Sequence, residues 1–275
     1  MSPCPVIGRE NAEVMAEFVI KPVGDCALCA EFKNEISVAV NQQVHALDRA
    51  LSTAHIPGVV ETVPAYRTLI VYYRPEVVRY EELKACILAL TDFSESKASV
   101  GGQVIELPVL YGGEVDLDPN APHYDGWDGR ETAPDREDVL AHEKITWDEF
   151  VHRHSANLCY IYFQAFAIGH SYVGNPVKTF TVPRRTTPRT KIPQGSIAIW
   201  ADQTVLNGFD LPCGWQVVGR TPVILYDDKK DPASFCLSGQ WLKFVPIDQV
   251  EYARIRKLSL AGEYQPVTYE RKVGE

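Results

Sequence analysis

The sequence has no long apolar run. The longest, near residues 86–90, stops far short of the ~20 residues that a membrane-spanning helix needs. It has no basic surplus either. Lys and Arg number 27 against 36 Asp and Glu, the net charge is −9, and the isoelectric point is near 5.3. That balance argues against a protein that coats nucleic acid or an anionic membrane. Residues 1–10 hold no basic stretch followed by an apolar core, so no secretory signal is expected. No Walker loop, no Gly-x-Gly-x-x-Gly and no Gly-x-Ser-x-Gly elbow occurs, so neither a conventional nucleotide site nor a serine triad is legible. The seven cysteines are odd in number and unpatterned, which fits free thiols and a cytoplasmic setting rather than a disulfide framework. No second Cys or His pair accompanies Cys26-x-x-Cys29 at zinc spacing, and no metal is expected. In a strand its two side chains point to opposite faces, so two packed cysteines are the better reading.

What is present is an ordinary globular composition, 45% hydrophobic and 23% charged over 275 residues, enough for one large domain or two modest ones. Residues 17–20 and 26–32 read as strands around a Gly24-Asp25 turn. Residues 36–51 follow as a helix with Val40, Val44, Leu47 and Leu51 on one side. Strands at 59–63 and 68–73 and a helix at 80–90 complete a ββαββα order, an α+β unit with helices on one face. Residues 94–103 are small and polar and read as a linker. A strand at 105–111 leads into residues 112–134, rich in Asp, Pro and Gly, read as a long surface loop.

Short helices are expected at 135–142 and from the capping pattern Thr146-Trp147-Asp148-Glu149 to about His154. Strands are expected at 159–166, 196–200, 215–219, 223–226 and 241–245, separated by Pro and Gly turns as in a barrel or sandwich. Residues 251–275 look weakly patterned. The fold class is therefore α+β, with a domain over 14–97, a second over 104–250 and a tail over 251–275.

The most informative stretch is Pro183-Arg184-Arg185-Thr186-Thr187-Pro188-Arg189-Thr190-Lys191-Ile192-Pro193. Four cations fall within eight residues stiffened by prolines. Guanidinium forks suit a carboxylate or phosphate, although a solvated basic loop fits the same pattern. His152 and His154 lie about 200° apart on a helix and cannot chelate together. Their spacing favours an exposed or helix-C-terminal histidine. Cys213, between Pro212 and Gly214, reads as a turn cysteine unless something lowers its pKa.

Several motifs together resemble the allophanate hydrolase subunit 1 family. They include Glu106-Leu107-Pro108-Val109-Leu110-Tyr111-Gly112-Gly113, Val151-His152-Arg153-His154-Ser155 and Pro183-Arg184-Arg185 with Pro188-Arg189. Ile192-Pro193-Gln194-Gly195-Ser196, Gln203-Thr204 and Pro212-Cys213-Gly214-Trp215-Gln216 through Gly219-Arg220-Thr221-Pro222 continue the set. That family includes the B-type component of 5-oxoprolinase, the first half of the urea carboxylase carboxyltransferase domain and a sporulation-kinase inhibitor. The resemblance spans about residues 15–250 and implies a small α+β domain followed by a cyclophilin-like β-barrel.

It further implies a component of an ATP-dependent 5-oxoprolinase, which opens the lactam of 5-oxoproline to glutamate. ATP would be bound by the complex if not by this chain. The partners implied are a second carboxyltransferase-like subunit of C type and a subunit of A type. Carried over, Arg184, Arg189 and Arg220 are anion clamps and His154 an acid/base. Gln203 and Thr204 are polar pocket contacts, and Gly195, Gly214 and Trp215 shape the wall. Alternatives are a carboxyltransferase component of a biotin-dependent urea carboxylase, and a non-catalytic protein that binds a kinase or another partner. The chain departs from the family in its glycine-rich turns, with Ala165-Phe166-Ala167-Ile168-Gly169-His170 and Val205-Leu206-Asn207-Gly208.

Overall fold

The computed structural model describes residues 18–90, 102–116, 124, 127, 129–175 and 177–271. The chain divides into two compact units, residues 1–100 and 101–275.

In the first unit β1 (Phe18–Val23), β2 (Ala27–Phe32), β3 (Val59–Pro64) and β4 (Thr68–Tyr73) form an antiparallel sheet ordered β1-β2-β4-β3. Helices α1 (Val38–Ala54) and α2 (Tyr80–Ala89) supply the other half of its core. Ser37 caps α1 by accepting from Val40 N at 3.4 Å. Val40, Val44, Leu47 and Leu51, one stripe at helical spacing, then meet Phe18, Leu28, Ala30 and Leu69 from the sheet. Cys26 is exposed and Cys29 buried, both as free thiols. The linker expected at 94–103 lies mostly outside the described residues.

The second unit is built on eight strands: β5 (Gln103–Val109), β6 (Cys159–Gln164), β7 (Ser171–Gly174), β9 (Ser196–Trp200), β10 (Gln203–Leu206), β12 (Gln216–Arg220), β13 (Trp241–Pro246) and β14 (Thr268–Glu270). They form one sheet ordered β12-β9-β10-β7-β6-β13-β5-β14. All described pairings are antiparallel except β13 with β5. Leu110, one residue past β5, exchanges both backbone hydrogen bonds with Arg220 at the end of β12, at 2.9 and 3.0 Å. The sheet therefore curls until its seventh strand meets its first. A single bridge joins them instead of a continuous ladder, so the expected barrel is nearly but not fully closed.

Helices α3 (Arg136–Glu143), α4 (Trp147–Ala156) and α5 (Gln249–Leu260) belong to this unit. Phe150 of α4 and Ile255 of α5 enter the interior with Ile105, Leu107, Ile161, Val173, Ile197, Leu206 and Phe244. A separate pair, β8 (Arg189–Ile192) with β11 (Leu211–Cys213), completes the strands.

Three sequence expectations change. Residues 223–226 form no strand although their apolar, partly β-branched side chains invite one. Ile224 N donates to Ser259 Oγ of α5 at 2.9 Å, and Leu225 O accepts from Phe235 N at 2.9 Å. Residues 251–275 are not unpatterned. They hold most of α5, which buries Tyr252, Ile255 and Ser259 and is capped by Asp248 accepting from Glu251 N at 2.8 Å. The 112–134 stretch, partly outside the described residues, is not plain surface. Val115 N reaches Arg130 O at 3.0 Å, and Tyr124 and Trp127 are buried. Among the described residues no helix is long and apolar enough to cross a membrane.

Candidate functional site

Strand alternation gives β9, β10 and β12 two faces. Ile197, Ile199, Leu206 and Val218 point into the barrel interior. Ala198, Val205, Val217 and Trp215 point outward, where Tyr124, Trp127 and Cys213 cover them. The candidate residues divide between these faces.

On the outer face the arginine stretch is organised by Asp135, which lies just before α3 and is 1% exposed. Its carboxylate makes no helix cap. Instead Oδ1 accepts from Arg189 Nη2 at 2.7 Å, and Oδ2 accepts from Arg189 Nη1 and from Val217 N, each at 2.7 Å. Arg185 Nη1 bonds to Oδ1 as well. Arg189 thus gives its bidentate fork to a protein carboxylate, so the expected clamp is an internal ion pair. Asp135 was legible in the sequence only as a helix start.

Arg184 is different. It is exposed, and its guanidinium carbon lies 4.1 Å from the Trp200 ring centroid and 5.8 Å from that of Trp215. The two indoles meet edge-on at 5.5 Å. This aromatic shelf orients the cation while leaving it open to a ligand. Gln203 pairs opposite Trp200 in the β10–β9 ladder, on the same outer face. Arg184, Arg185, Thr186 and Gln216 line a cleft of about 330 Å³. A neighbouring cleft of about 520 Å³ shares Arg185 and adds Trp127, Thr187 and Arg189.

Arg220 is 2% exposed, and its Nε and Nη2 have no hydrogen-bond partner among the described residues. Burial lowers its pKa below the usual guanidinium range. Trp127 is near both Arg189 and Arg220, with guanidinium carbons 5.3 and 5.7 Å from its ring centroid. Tyr124 OH donates to Asp210 Oδ2 at 3.0 Å. Burial, with Asp210 second, pushes the Tyr124 pKa up to about 12. The sequence reading missed Tyr124 and Trp127, although large aromatics within a polar Asp/Gly/Pro stretch were the available signal. Gly195 stands behind Arg220, and its carbonyl accepts from Thr221 N at 2.9 Å. Gly214 O accepts from Arg185 N at 2.8 Å, which ties the arginine stretch to the Trp215 turn.

His154 and Thr204 occupy the inner face. His154 Nε2 lies 3.0 Å from Thr204 Oγ1, and its Nδ1 lies 2.7 Å from Tyr111 OH. Phe150, Phe180 and Phe244 surround the ring. Burial lowers the His154 pKa to about 3, and burial likewise lowers that of His170 to about 4. Both are therefore neutral in the folded state, whereas the unfolded chain protonates them near 6.5. The folded form binds fewer protons below that pH. The stability they contribute is complete above about pH 6.5 and drains away as pH falls toward 3–4. Between pH 6.5 and 5 each histidine is expected to cost on the order of 2 kcal/mol. Urea midpoints measured at pH 7.5 and pH 5 check this, and His154→Gln is expected to flatten the pH dependence. Equal slopes in variant and wild type would contradict it.

Among the described residues no group of three or more His, Cys, Asp or Glu is placed to hold a metal ion.

The chain belongs to the family described as carboxyltransferase domain, subdomain C and D, whose profile matches residues 18–236. It is 30% identical over 246 residues to the B-type component of 5-oxoprolinase from Bacillus subtilis (strain 168), covering 86% of this chain and 95% of that protein. It is 29% identical over 232 residues to the corresponding 5-oxoprolinase component of Haemophilus influenzae, covering 82% and 96%. Among solved structures, Kluyveromyces lactis urea carboxylase shares the fold with a TM-score of 0.70 at 15% identity, over 92% of this chain and 24% of that one. The TTHA0988 structure shares it with a TM-score of 0.67 at 22% identity, over 81% and 40%.

Proposed function

We propose that this chain is the B-type component of a 5-oxoprolinase, which opens the lactam of 5-oxoproline to glutamate with the help of ATP. The observation that carries this reading is near end-to-end similarity to the B-type 5-oxoprolinase component from three bacteria, with 94–96% of each relative covered. The partners are a second carboxyltransferase-like subunit of C type and an A-type subunit, in the cytoplasm.

On this reading the outer face binds the substrate. Arg184, steadied on Trp200 and Trp215, receives the substrate carboxylate as a charge-assisted pair. Arg185 and Arg189 are already held on Asp135 and Arg189 is buried, so they are poorly placed to reach the phosphates of ATP. The nucleotide is therefore assigned to a partner subunit, and no step on this chain is routed through it. His154 is assigned a structural role, because it is buried on the opposite face of the sheet from Arg184.

Purification of the tagged chain from its host, under mild conditions, tests the reading. Co-purifying subunits and ATP-dependent turnover of 5-oxoproline are expected. Recovery of the chain alone, with no turnover after the candidate subunits are added, would overturn it. Within an active complex Arg184→Ala is expected to raise KM for 5-oxoproline by about 10–100-fold. The same change is expected to move stability by less than about 1 kcal/mol, because the side chain is exposed. An unchanged KM would remove Arg184 from the carboxylate site.

A further inference from the structure

The smaller cleft carries an assignment that rests on the 5-oxoprolinase reading and extends it to the proton transfers of ring opening. Helix α3 and the arginine stretch both line this cleft. Asp138, Ala141 and His142, one face of the helix at i, i+3 and i+4, line it together with Arg184 and Arg185. The helix fastens the stretch at two points. Just before α3, Asp135 holds Arg185 and Arg189. In the last turn of α3, Glu143 Oε1 accepts from Thr181 N at 2.6 Å and from Thr181 Oγ1 at 3.1 Å. His142 Nε2 lies 3.1 Å from the same hydroxyl. Arg184 falls between the two fastenings, after Thr181 and next to Arg185.

The second fastening also sets the tautomer of His142. A carboxylate only accepts, so the Thr181 hydroxyl gives its hydrogen to Glu143. Its oxygen then accepts from His142, whose neutral ring carries its hydrogen on Nε2. Nδ1 keeps a lone pair, and none of the described residues bonds to it. The side chain is exposed and lines the cleft.

Hydrolysis of a lactam needs such a group twice. The water that adds to the ring carbonyl must lose a proton. The ring nitrogen must gain one as the C–N bond breaks, because an amide anion is a poor leaving group. In 5-oxoproline a single carbon separates the ring nitrogen from the carboxylate carbon, and the carbonyl carbon is bonded to that nitrogen. A substrate with its carboxylate on Arg184 therefore keeps both reacting atoms close to that anchor. A cleft of about 330 Å³ is ample for its roughly nine non-hydrogen atoms. Imidazole is the side chain that takes and gives a proton near neutral pH. The carboxylate on the same helix face, Asp138, is drawn to Arg185 Nη1 at 3.8 Å.

We propose that His142 is the acid/base of this site. Its Nδ1 takes a proton from the water that adds to the lactam carbonyl carbon. It returns that proton to the ring nitrogen as the C–N bond breaks with its electron pair on nitrogen. The imidazole ends neutral, and the substrate has gained one water as a carboxyl and an amine. Thr181 and Glu143 are positioning residues. The nucleotide, assigned to a partner subunit, takes no part in this relay.

The test uses the complex captured through this chain. His142→Gln keeps an amide N–H for Thr181 and removes the proton carrier. It is expected to lower kcat by about 100-fold or more, with KM for 5-oxoproline changed less than about threefold. In His142→Ala, added imidazole is expected to restore kcat by about tenfold or more, a response that a purely structural role would not give. An unchanged kcat overturns the assignment. So does a raised KM at unchanged kcat, because His142 then only binds. A loss of kcat that imidazole does not relieve also overturns it, because the ring then acts only by fastening Thr181. Urea midpoints are read alongside, and loss of the fold in both variants overturns it as well, because His142 then serves the fold. The two readings fail differently. No turnover in the wild-type complex removes the enzyme reading and this assignment with it, whereas wild-type turnover that survives in His142→Gln removes the assignment alone.

Discussion

Asp135→Asn is expected to destabilise the second unit by about 3–5 kcal/mol, among the largest effects of any single change in this chain. The carboxylate is 1% exposed and accepts from Arg185, from both terminal nitrogens of Arg189 and from Val217 N. Asparagine cannot accept all of these and carries no charge. It leaves two guanidiniums facing each other, and Arg189 is itself 9% exposed. Removing one partner of a buried ionic group costs far more than the group contributes as a whole. Urea unfolding followed by tryptophan fluorescence measures the loss. A change below about 1 kcal/mol would mean that the arginines are hydrated rather than held by Asp135. Because the same bonds fix residues 185 and 189, the variant is also expected to lose the placement of Arg184 on the Trp200 shelf.

Gly195→Ala is expected to cost about 3 kcal/mol or more. Gly195 has φ +81, a conformation that glycine adopts freely and alanine does not. A Cβ there would sit 2.6 Å from the Thr221 carbonyl oxygen. That atom is backbone and cannot rotate away, so β12 would have to shift where it carries Arg220. Gly214→Ala is the control. Its nearest contact would be Pro188 Cγ at 3.4 Å, an ordinary packing distance, and a cost below about 1 kcal/mol is expected. Thermal unfolding of both variants checks the contrast. Equal effects would show that the Gly195 turn yields more easily than its geometry implies.

These two positions show what the sequence could and could not reveal. The helix at the start of the chain was readable from its period, the stripe at 40, 44, 47 and 51, and residues 68–73 from their β-branched composition; the Ser37 cap emerged only in the structure. The arginine stretch was readable as a cluster of cations. Its pairing was not, because Arg189 finds its anion 54 residues away in Asp135, and a lone acidic residue at a helix start reads as a cap. His154 looked like a site residue because it closes a motif. Its ring is enclosed by Phe150, Phe180 and Phe244 and its Nε2 meets Thr204 in β10, a strand of four residues too short to announce its faces. Helix α5 escaped notice because its buried residues Tyr252, Ile255 and Ser259 include only one aliphatic side chain. The strand expected at 223–226 has the right composition, but its backbone bonds are taken by α5 and by Phe235.

The two-sided character of β10 also bears on how this domain changes over time. Thr204 and Leu206 are committed to the interior, while Gln203 and Val205, alternating with them, belong to the outer face. Adjacent letters of one strand therefore answer to different pressures. Drift at outward positions can retune ligand preference without disturbing the interior that keeps the sheet curled.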